Sequence, residues 1–359
     1  MTPSEANEPV RIGLVGLGGH GNTIQQACEQ ASNLDVIAVY DPNKEAAALA
    51  ATRFGCYNAI SFEELIRMDQ LEAVVLVTPN HLHRKQVLAA LEADLHVFVE
   101  KPLASNLDEG MTMISKAEAK GRVLMVGHNM RFWKTARKAR ACLESGELGQ
   151  VISTEIHFSA PTGMRLPVDS WRRKPDLVPI LPVTQLAIHA FDLVHYLLGY
   201  IEEVTAYAQS AITRDDLVDS SCAIFRVSGG SLGTMISNYC TQELFSLRIA
   251  GTRGTLQLQP GSFTFTPLAF AEAMPTHPGA PIEVRDEFNG FESYRLIMEA
   301  FGEAVAEHTL PETDGWVGLQ SLAVVEAMQR SAAASGTPWL VERFKSASLD
   351  SAGASTVTL

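Results

Sequence analysis

Lys101 and His189 are the side chains of this sequence best suited to moving a proton while a hydride leaves carbon. Oxidising a secondary alcohol needs a hydride acceptor, a base for the hydroxyl proton and a cation that favours the developing alkoxide. Lys101 stands in Glu100-Lys101-Pro102, directly after a strand-like apolar run over 95–99. A free lysine ionises near about pH 10.4, so it works as a charged donor unless desolvation lowers it. Pro102 biases Lys101 toward extended backbone and makes a cis Lys101–Pro102 bond plausible. Gln185, His189 and Asp192 are spaced i, i+4 and i+7, which places them on one helical face. Imidazole titrates near neutrality and suits a base in one direction and an acid in the other. Asp192 could orient His189 or serve as a structural acceptor; the spacing permits both.

A hydride acceptor is implied by Gly16-Leu17-Gly18-Gly19-His20-Gly21. A strand-like run over 11–15 precedes these glycines and a helical pattern over 23–32 follows. A second strand over 35–40 then ends at Asp41. Strand, glycine turn, helix, strand, acid is the context in which such a fingerprint has meaning. Gly16, Gly18, Gly19 and Gly21 let backbone N–H groups approach a pyrophosphate at the helix N-terminus, whose partial charge favours it. His20 could add a contact there or face solvent. Asp41 falls twenty residues after Gly21, where a carboxylate accepts from a ribose 2′-hydroxyl and repels a 2′-phosphate. No arginine follows immediately, so NAD is expected over NADP. Asp41-Pro42 also reads as the start of a helix over 43–54.

Other elements position these groups. A buried strand over 71–77 leads into Thr78-Pro79-Asn80-His81-Leu82-His83 and a helix over 84–93. The strand over 95–99 leads into Lys101, then a helix over 107–120; a strand over 122–126 ends in Gly127-His128-Asn129. In an open parallel sheet the carboxyl ends share one rim, so these clusters should line one crevice. The second half changes to period-two alternation over 151–159, 203–209, 221–227 and 231–239, with a Gly229-Gly230 hairpin turn. Shorter strands over 247–250 and 255–258 flank another glycine-bearing turn.

The bulk numbers narrow the classes. A chain of 359 residues is too long for one core, so two domains are expected. Its net charge of −13, with no basic run longer than Arg172-Arg173-Lys174, argues against nucleic acid as partner. Five scattered cysteines, with no CxxC and no zinc-type histidine spacing, suggest reduced thiols and no metal. The polar start lacks the apolar core of a secretory signal, and no apolar run is long enough to span a bilayer. The cytoplasm is the expected location. The Ser-, Ala- and Thr-rich tail over 346–359 reads as disordered.

Taken together the motifs resemble the glucose-fructose oxidoreductase / inositol dehydrogenase (Gfo/Idh/MocA) family of NAD(P)-dependent oxidoreductases. They are GLGGHG, TPNHLH, EKP, GHNMRF, WRRKP, QLAIHAFDLVHYLLG, IAGTRGTL and DGWVGLQSLAVVEAMQRSAAASG, in that order. The resemblance implies an α/β protein: an N-terminal Rossmann domain with a doubly wound parallel sheet, then a C-terminal α/β domain with a large, mostly antiparallel open sheet. Expected boundaries are 1–130, 131–345 and the tail 346–359.

The implied reaction passes a hydride between nicotinamide C4 and a secondary alcohol or carbonyl of a sugar, polyol or cyclitol. Lys101 would contact the reacting oxygen and His189 would exchange its proton. Gln185 departs from the pattern, since many relatives carry an aspartate there. It can position a hydroxyl but cannot take its proton. The usual glycine-rich stretch before this helix is replaced by Val178-Pro179-Ile180-Leu181-Pro182. Thr78, Asn80, His83, Glu100 and Lys101 would lie near the cofactor, and Asn129, Arg131 and Asp192 near the substrate. Trp171, Arg172, Arg173 and Lys174 could grip a carboxylate or acidic sugar, or form a solvated loop. The sheet would be covered by association into a homo-oligomer, a dimer or tetramer. Two other readings of the same motifs are a non-catalytic NAD-binding sensor and an enzyme working mainly as a carbonyl or imine reductase.

Overall fold

The computed structural model describes residues 8–212, 217–268, 282–285 and 290–344; the tail expected to be disordered, 346–359, lies outside them. The described residues form two compact units. One runs to Asn129 and takes in Phe291–Leu319; the other runs from Met130 to Gly290 and resumes at Gln320. The return of Phe291–Leu319 to the first unit differs from the consecutive division expected from sequence.

In the first unit the strands are β1 (Val10–Val15), β2 (Leu34–Tyr40), β3 (Tyr57–Asn58), β4 (Ala73–Leu76), β5 (His96–Val99) and β6 (Leu124–Val126). The helices between them are α1 (Gly19–Gln30), α2 (Lys44–Phe54), α3 (Phe62–Leu65), α4 (Asn80–Glu92) and α5 (Leu107–Lys120). The strands pair in parallel in the order β3-β2-β1-β4-β5-β6. That order reverses direction between β1 and β4, where doubly wound sheets open their ligand crevice. β4 and β5 are buried along their whole length, as strands covered on both faces must be. Helix α1 starts at Gly19, earlier than the pattern over 23–32 suggests, because the glycine turn itself winds into the first helical turn. Its N-cap is Gly18, without a capping side chain, so no Ser, Thr or Asp marks the start.

The second unit contains α6 (Lys134–Glu144) and α7 (Ile188–Leu198), the latter preceded by a π-helical turn over Val183–Ala187. Its strands are β7 (Val151–Ser159), β8 (Ile201–Gln209), β9 (Ser220–Val227), β10 (Leu232–Asn238), β11 (Leu244–Gly251), β12 (Gly254–Gln259), β13 (Ser262–Pro267), β14 (Ile282–Arg285) and β15 (Trp339–Leu340). They form a nine-stranded sheet, β14-β13-β12-β11-β7-β10-β9-β8-β15. Among the described residues of this sheet only β7 and β10 pair in parallel. Burial alternates along β9 and β10, so one face is packed and the other open. α7 packs on the inner face, with Phe191 edge-on to Phe225 at 6.4 Å. At Gly233 a Cβ would stand 2.0 Å from the Phe225 ring, so this cross-strand position admits no side chain.

Two late helices follow, α8 (Gly290–Glu307) and α9 (Gly315–Ala333). α8 closes the first unit by setting Phe301 edge-on to Phe98 at 5.7 Å and by taking a 2.8 Å hydrogen bond from Asn33 Nδ2 at the Glu299 carbonyl. The segment after α8 covers the β6 edge: Val126 N–H donates to the Thr313 carbonyl at 2.7 Å. Among the described residues no helix is long and apolar enough to cross a membrane. All five cysteines are free thiols.

Candidate active site

The glycine loop is held from below. Leu17 N–H donates to Asp41 Oδ2 at 2.7 Å, and Gln25 Nε2 donates to the Leu17 carbonyl at 3.0 Å. Gly16 has φ +89, and a Cβ there would lie 2.4 Å from the Val77 carbonyl oxygen, so the loops after β1 and β4 touch. At Gly18 and Gly19 an added Cβ would meet nothing within 4 Å. The loop is thus braced on one side and open on the other, which fits a dinucleotide pyrophosphate laid on α1's N-terminus. Asp41 Oδ1 accepts from Asn43 N–H at 2.8 Å, while the α2 cap is Asn43, whose side chain accepts from Glu45 and Ala46 N–H. Capping therefore falls to Asn43 and not to Asp41.

At the β4 end, Thr78 Oγ1 donates to Gln86 Oε1 at 2.5 Å, and Asn80 begins α4, buried. His83, expected near the cofactor, is a buried brace. Its Nε2 lies 2.9 Å from the Thr78 carbonyl and its Nδ1 2.9 Å from the Pro102 carbonyl. Burial pushes its pKa below the ordinary value, against these carbonyls and Glu100. A neutral ring can donate to only one of the two carbonyls.

At the β5 end the Lys101–Pro102 bond is cis. Glu100 is buried; its Oε1 lies 3.1 Å from His20 Nε2, and its Oε2 accepts from Lys101 N–H at 3.2 Å. A Cβ on Gly127 would fall 2.8 Å from this carboxylate. Burial works to raise the Glu100 pKa, but His20 and then Lys101 outweigh it and hold the group below the usual range. The His20 ring meets Tyr294 edge-on at 5.2 Å. Burial first, and the Glu100 charge second, raise the Tyr294 phenol, opposed by a hydrogen bond with Asn129. Asn129 Nδ2 also donates to Ser293 Oγ at 2.9 Å. The structure thus gathers His20, Glu100, Lys101 and Asn129 in one unit and adds Tyr294 and Ser293. Sequence reasoning missed the last two, which sit in a plain amphipathic helix far along the chain.

In the second unit, His189 opens α7 and lies 6.5 Å from the Phe158 ring, while Gln185 is in the π turn. A wider turn does not stack i and i+4 as an α-helix does, so the single face inferred from spacing is distorted at Gln185. Arg131 and Asp192, both expected at the substrate, hold each other: Nε to Oδ2 at 2.8 Å and Nη2 to Oδ1 at 2.6 Å, both buried. Tyr196 lies under the Arg131 guanidinium at 5.3 Å. Trp171 packs on a core of Ala160, Val178, Leu181, Leu217 and Tyr239, which also absorbs the apolar segment found in place of glycines. Arg172 stacks on Trp171 at 4.7 Å and donates from Nε to Gln185 Oε1 at 3.1 Å. Of this basic run Lys174 is exposed, while Arg172 and Arg173 are half-buried. No group of three or more metal-ligating side chains occurs among the described residues.

Residues 10–128 match the family model described as oxidoreductase family, NAD-binding Rossmann fold, and residues 136–257 match the GFO/IDH/MocA C-terminal domain. D-xylose 1-dehydrogenase (NADP(+)) 2 of Haloferax volcanii is 31% identical, over 89% of this chain and 97% of its own length. Inositol 2-dehydrogenase 1 of Saccharopolyspora erythraea is 28% identical, over 93% of this chain and 96% of its own. A solved levoglucosan dehydrogenase, in complex with NADH and levoglucosan, shares the fold with a TM-score of 0.83 at 22% identity, covering 94% and 100% of the two chains. Fold and site define an NAD(P)-dependent oxidoreductase. The chain belongs to the Gfo/Idh/MocA family.

Proposed function

We propose that the protein is an NAD-preferring dehydrogenase of a sugar, polyol or cyclitol. The observation that carries the reading is the Glu100-Lys101 turn at the end of β5, tied by His20 to the glycine loop. A lysine after β5 supports the reading, because parallel sheets of this order bind dinucleotides at the carboxyl ends of their strands. Asp41, with one carboxylate oxygen on Leu17 N–H and the other on Asn43 N–H, keeps lone pairs for ribose hydroxyls and repels a 2′-phosphate. The Haloferax relative is named for NADP, so the preference for NAD rests on Asp41 and on the lack of an arginine directly after it.

The bound dinucleotide supplies the hydride acceptor. Lys101 holds positive charge at the reacting oxygen and favours its alkoxide character. His189 takes the hydroxyl proton in oxidation and returns it in reduction. Glu100 and His20 fix the Lys101 turn. The relatives' names, xylose, inositol and levoglucosan dehydrogenases, support a polyhydroxylated substrate. Tyr207, Ile224, Leu232 and Ile236, exposed on the open sheet face, support a homo-oligomer covering that face. Free thiols in every cysteine support a reducing, cytoplasmic setting.

Titration with NAD+, NADH, NADP+ and NADPH, on wild type and Asp41→Ala, tests the cofactor assignment. Tight NAD(H) binding that weakens in the variant, with a narrower gap to NADP(H), is expected. Absence of binding by any of the four would overturn the reading. Light scattering reads the assembly, and a monomer would remove the homo-oligomer.

A further inference from the structure

Arg172 carries a charge that no carboxylate of the described chain answers. Its Nε is engaged by the neutral Gln185 amide oxygen, its backbone N–H by Ser170 Oγ at 3.3 Å, and one face of its guanidinium by the Trp171 ring. Among the described residues it forms no ion pair, and its two Nη groups have no hydrogen-bond partner. Tyr239 faces the same charge; burial raises its phenol, and Arg172 and Thr162 pull the other way, so it stays neutral near pH 7. Among the described residues this half-buried cation is flanked by an amide, an indole and a neutral phenol and meets no carboxylate. Stacking and the Nε bond also fix the guanidinium plane, leaving its Nη edge as a planar two-donor fork suited to an oxyanion.

The place of this fork matters. Gln185, which orients it, lies on the same continuous helical segment as His189, one turn earlier. We infer that Arg172, oriented by Gln185 and Trp171, binds an oxyanion substituent of the substrate, so that the preferred substrates are acidic sugar derivatives bearing a carboxylate or a phosphate. This rests on the dehydrogenase reading above. Gln185 is then a positioning residue that acts through Arg172. Its neutrality is part of the design, since a carboxylate at 185 would satisfy the guanidinium and displace the ligand anion. The protein's overall charge of −13 opposes anion capture, so selectivity must come from this local contact.

The test compares kcat/KM for glucose, galactose and xylose with their uronate and monophosphate counterparts. Wild type, Arg172→Gln, Arg172→Lys and Gln185→Glu are assayed with NAD+ and NADP+. Wild type should prefer at least one anionic series over its neutral parent tenfold or more, and which series shows it separates carboxylate from phosphate. Arg172→Gln and Gln185→Glu should each cut that anionic-to-neutral ratio at least tenfold, and Arg172→Lys should keep part of it. Gln185→Glu retains the stacked arginine and keeps the test open if Arg172→Gln fails to fold. Neutral sugars turned over as well as their anionic partners, or a ratio unmoved in both variants, would overturn the subsite and leave the dehydrogenase reading standing. No turnover of any sugar by wild type would overturn both.

Discussion

His20 Nε2 lies 3.1 Å from Glu100 Oε1, joining the glycine loop to the end of β5 across 80 residues of sequence. The carboxylate is buried and the histidine is at the surface, so the pair ties the two loops together within a single unit. Because His20 and Lys101 hold the Glu100 pKa below its unfolded value, its contribution to stability is present above the unfolded pKa. It is lost as pH falls through the folded one. Glu100→Gln should therefore lower Tm at pH 7 by several degrees and flatten the acid limb of the stability profile. An unchanged acid limb, followed by thermal melts from pH 3 to 7, would show that the pair has no weight in folding.

His83 braces two loops by two carbonyls. Removing the ring leaves a buried acceptor unpaired, so His83→Ala should cost about 1–3 kcal/mol in urea unfolding. Burial depresses the folded pKa of this base below the unfolded value. Its contribution is then complete above the unfolded pKa and lost as pH falls toward the folded one. The urea midpoint of wild type should fall more steeply below about pH 6.5 than that of His83→Ala.

Lys101→Ala should lower kcat by roughly 100- to 1,000-fold, the scale of losing one electrostatic stabiliser of the transition state. Dinucleotide affinity should change little, because Asp41 and the glycine loop are untouched. Steady-state kinetics paired with NADH titration separates the two quantities, and wild-type turnover would remove Lys101 from the reaction.

Breaking the buried Arg131–Asp192 pair should be severe. Asp192→Ala strands a buried guanidinium and should cost about 3–5 kcal/mol by urea denaturation. The double variant Arg131→Met with Asp192→Leu should recover part of that loss, since apolar replacements leave no uncompensated charge. Equal destabilisation in single and double variants would show that packing against Tyr196, and not charge, is what the pair supplies.

Local chemistry in the sequence was enough to place β1, the glycine turn, β2 and Asp41, because hydrophobic period and glycine chemistry act over a few residues. The same reasoning located Lys101 at a strand's carboxyl end, and the family resemblance implied a parallel sheet followed by a mostly antiparallel one, as found. Short β3 and α3 had no periodicity to betray them. What partners a polar side chain takes was a different matter. Asp192 reads equally well as a partner for His189 or as a structural acceptor, and only folding shows Arg131 buried against it. Nothing near Glu100 announces Tyr294, and nothing near Asn129 announces Ser293, because α8 returns to the first unit from far along the chain. The sequence by itself determined which residues could carry the chemistry. Tertiary structure decided which of them are spent on one another, because a buried charge must find its partner wherever packing puts one.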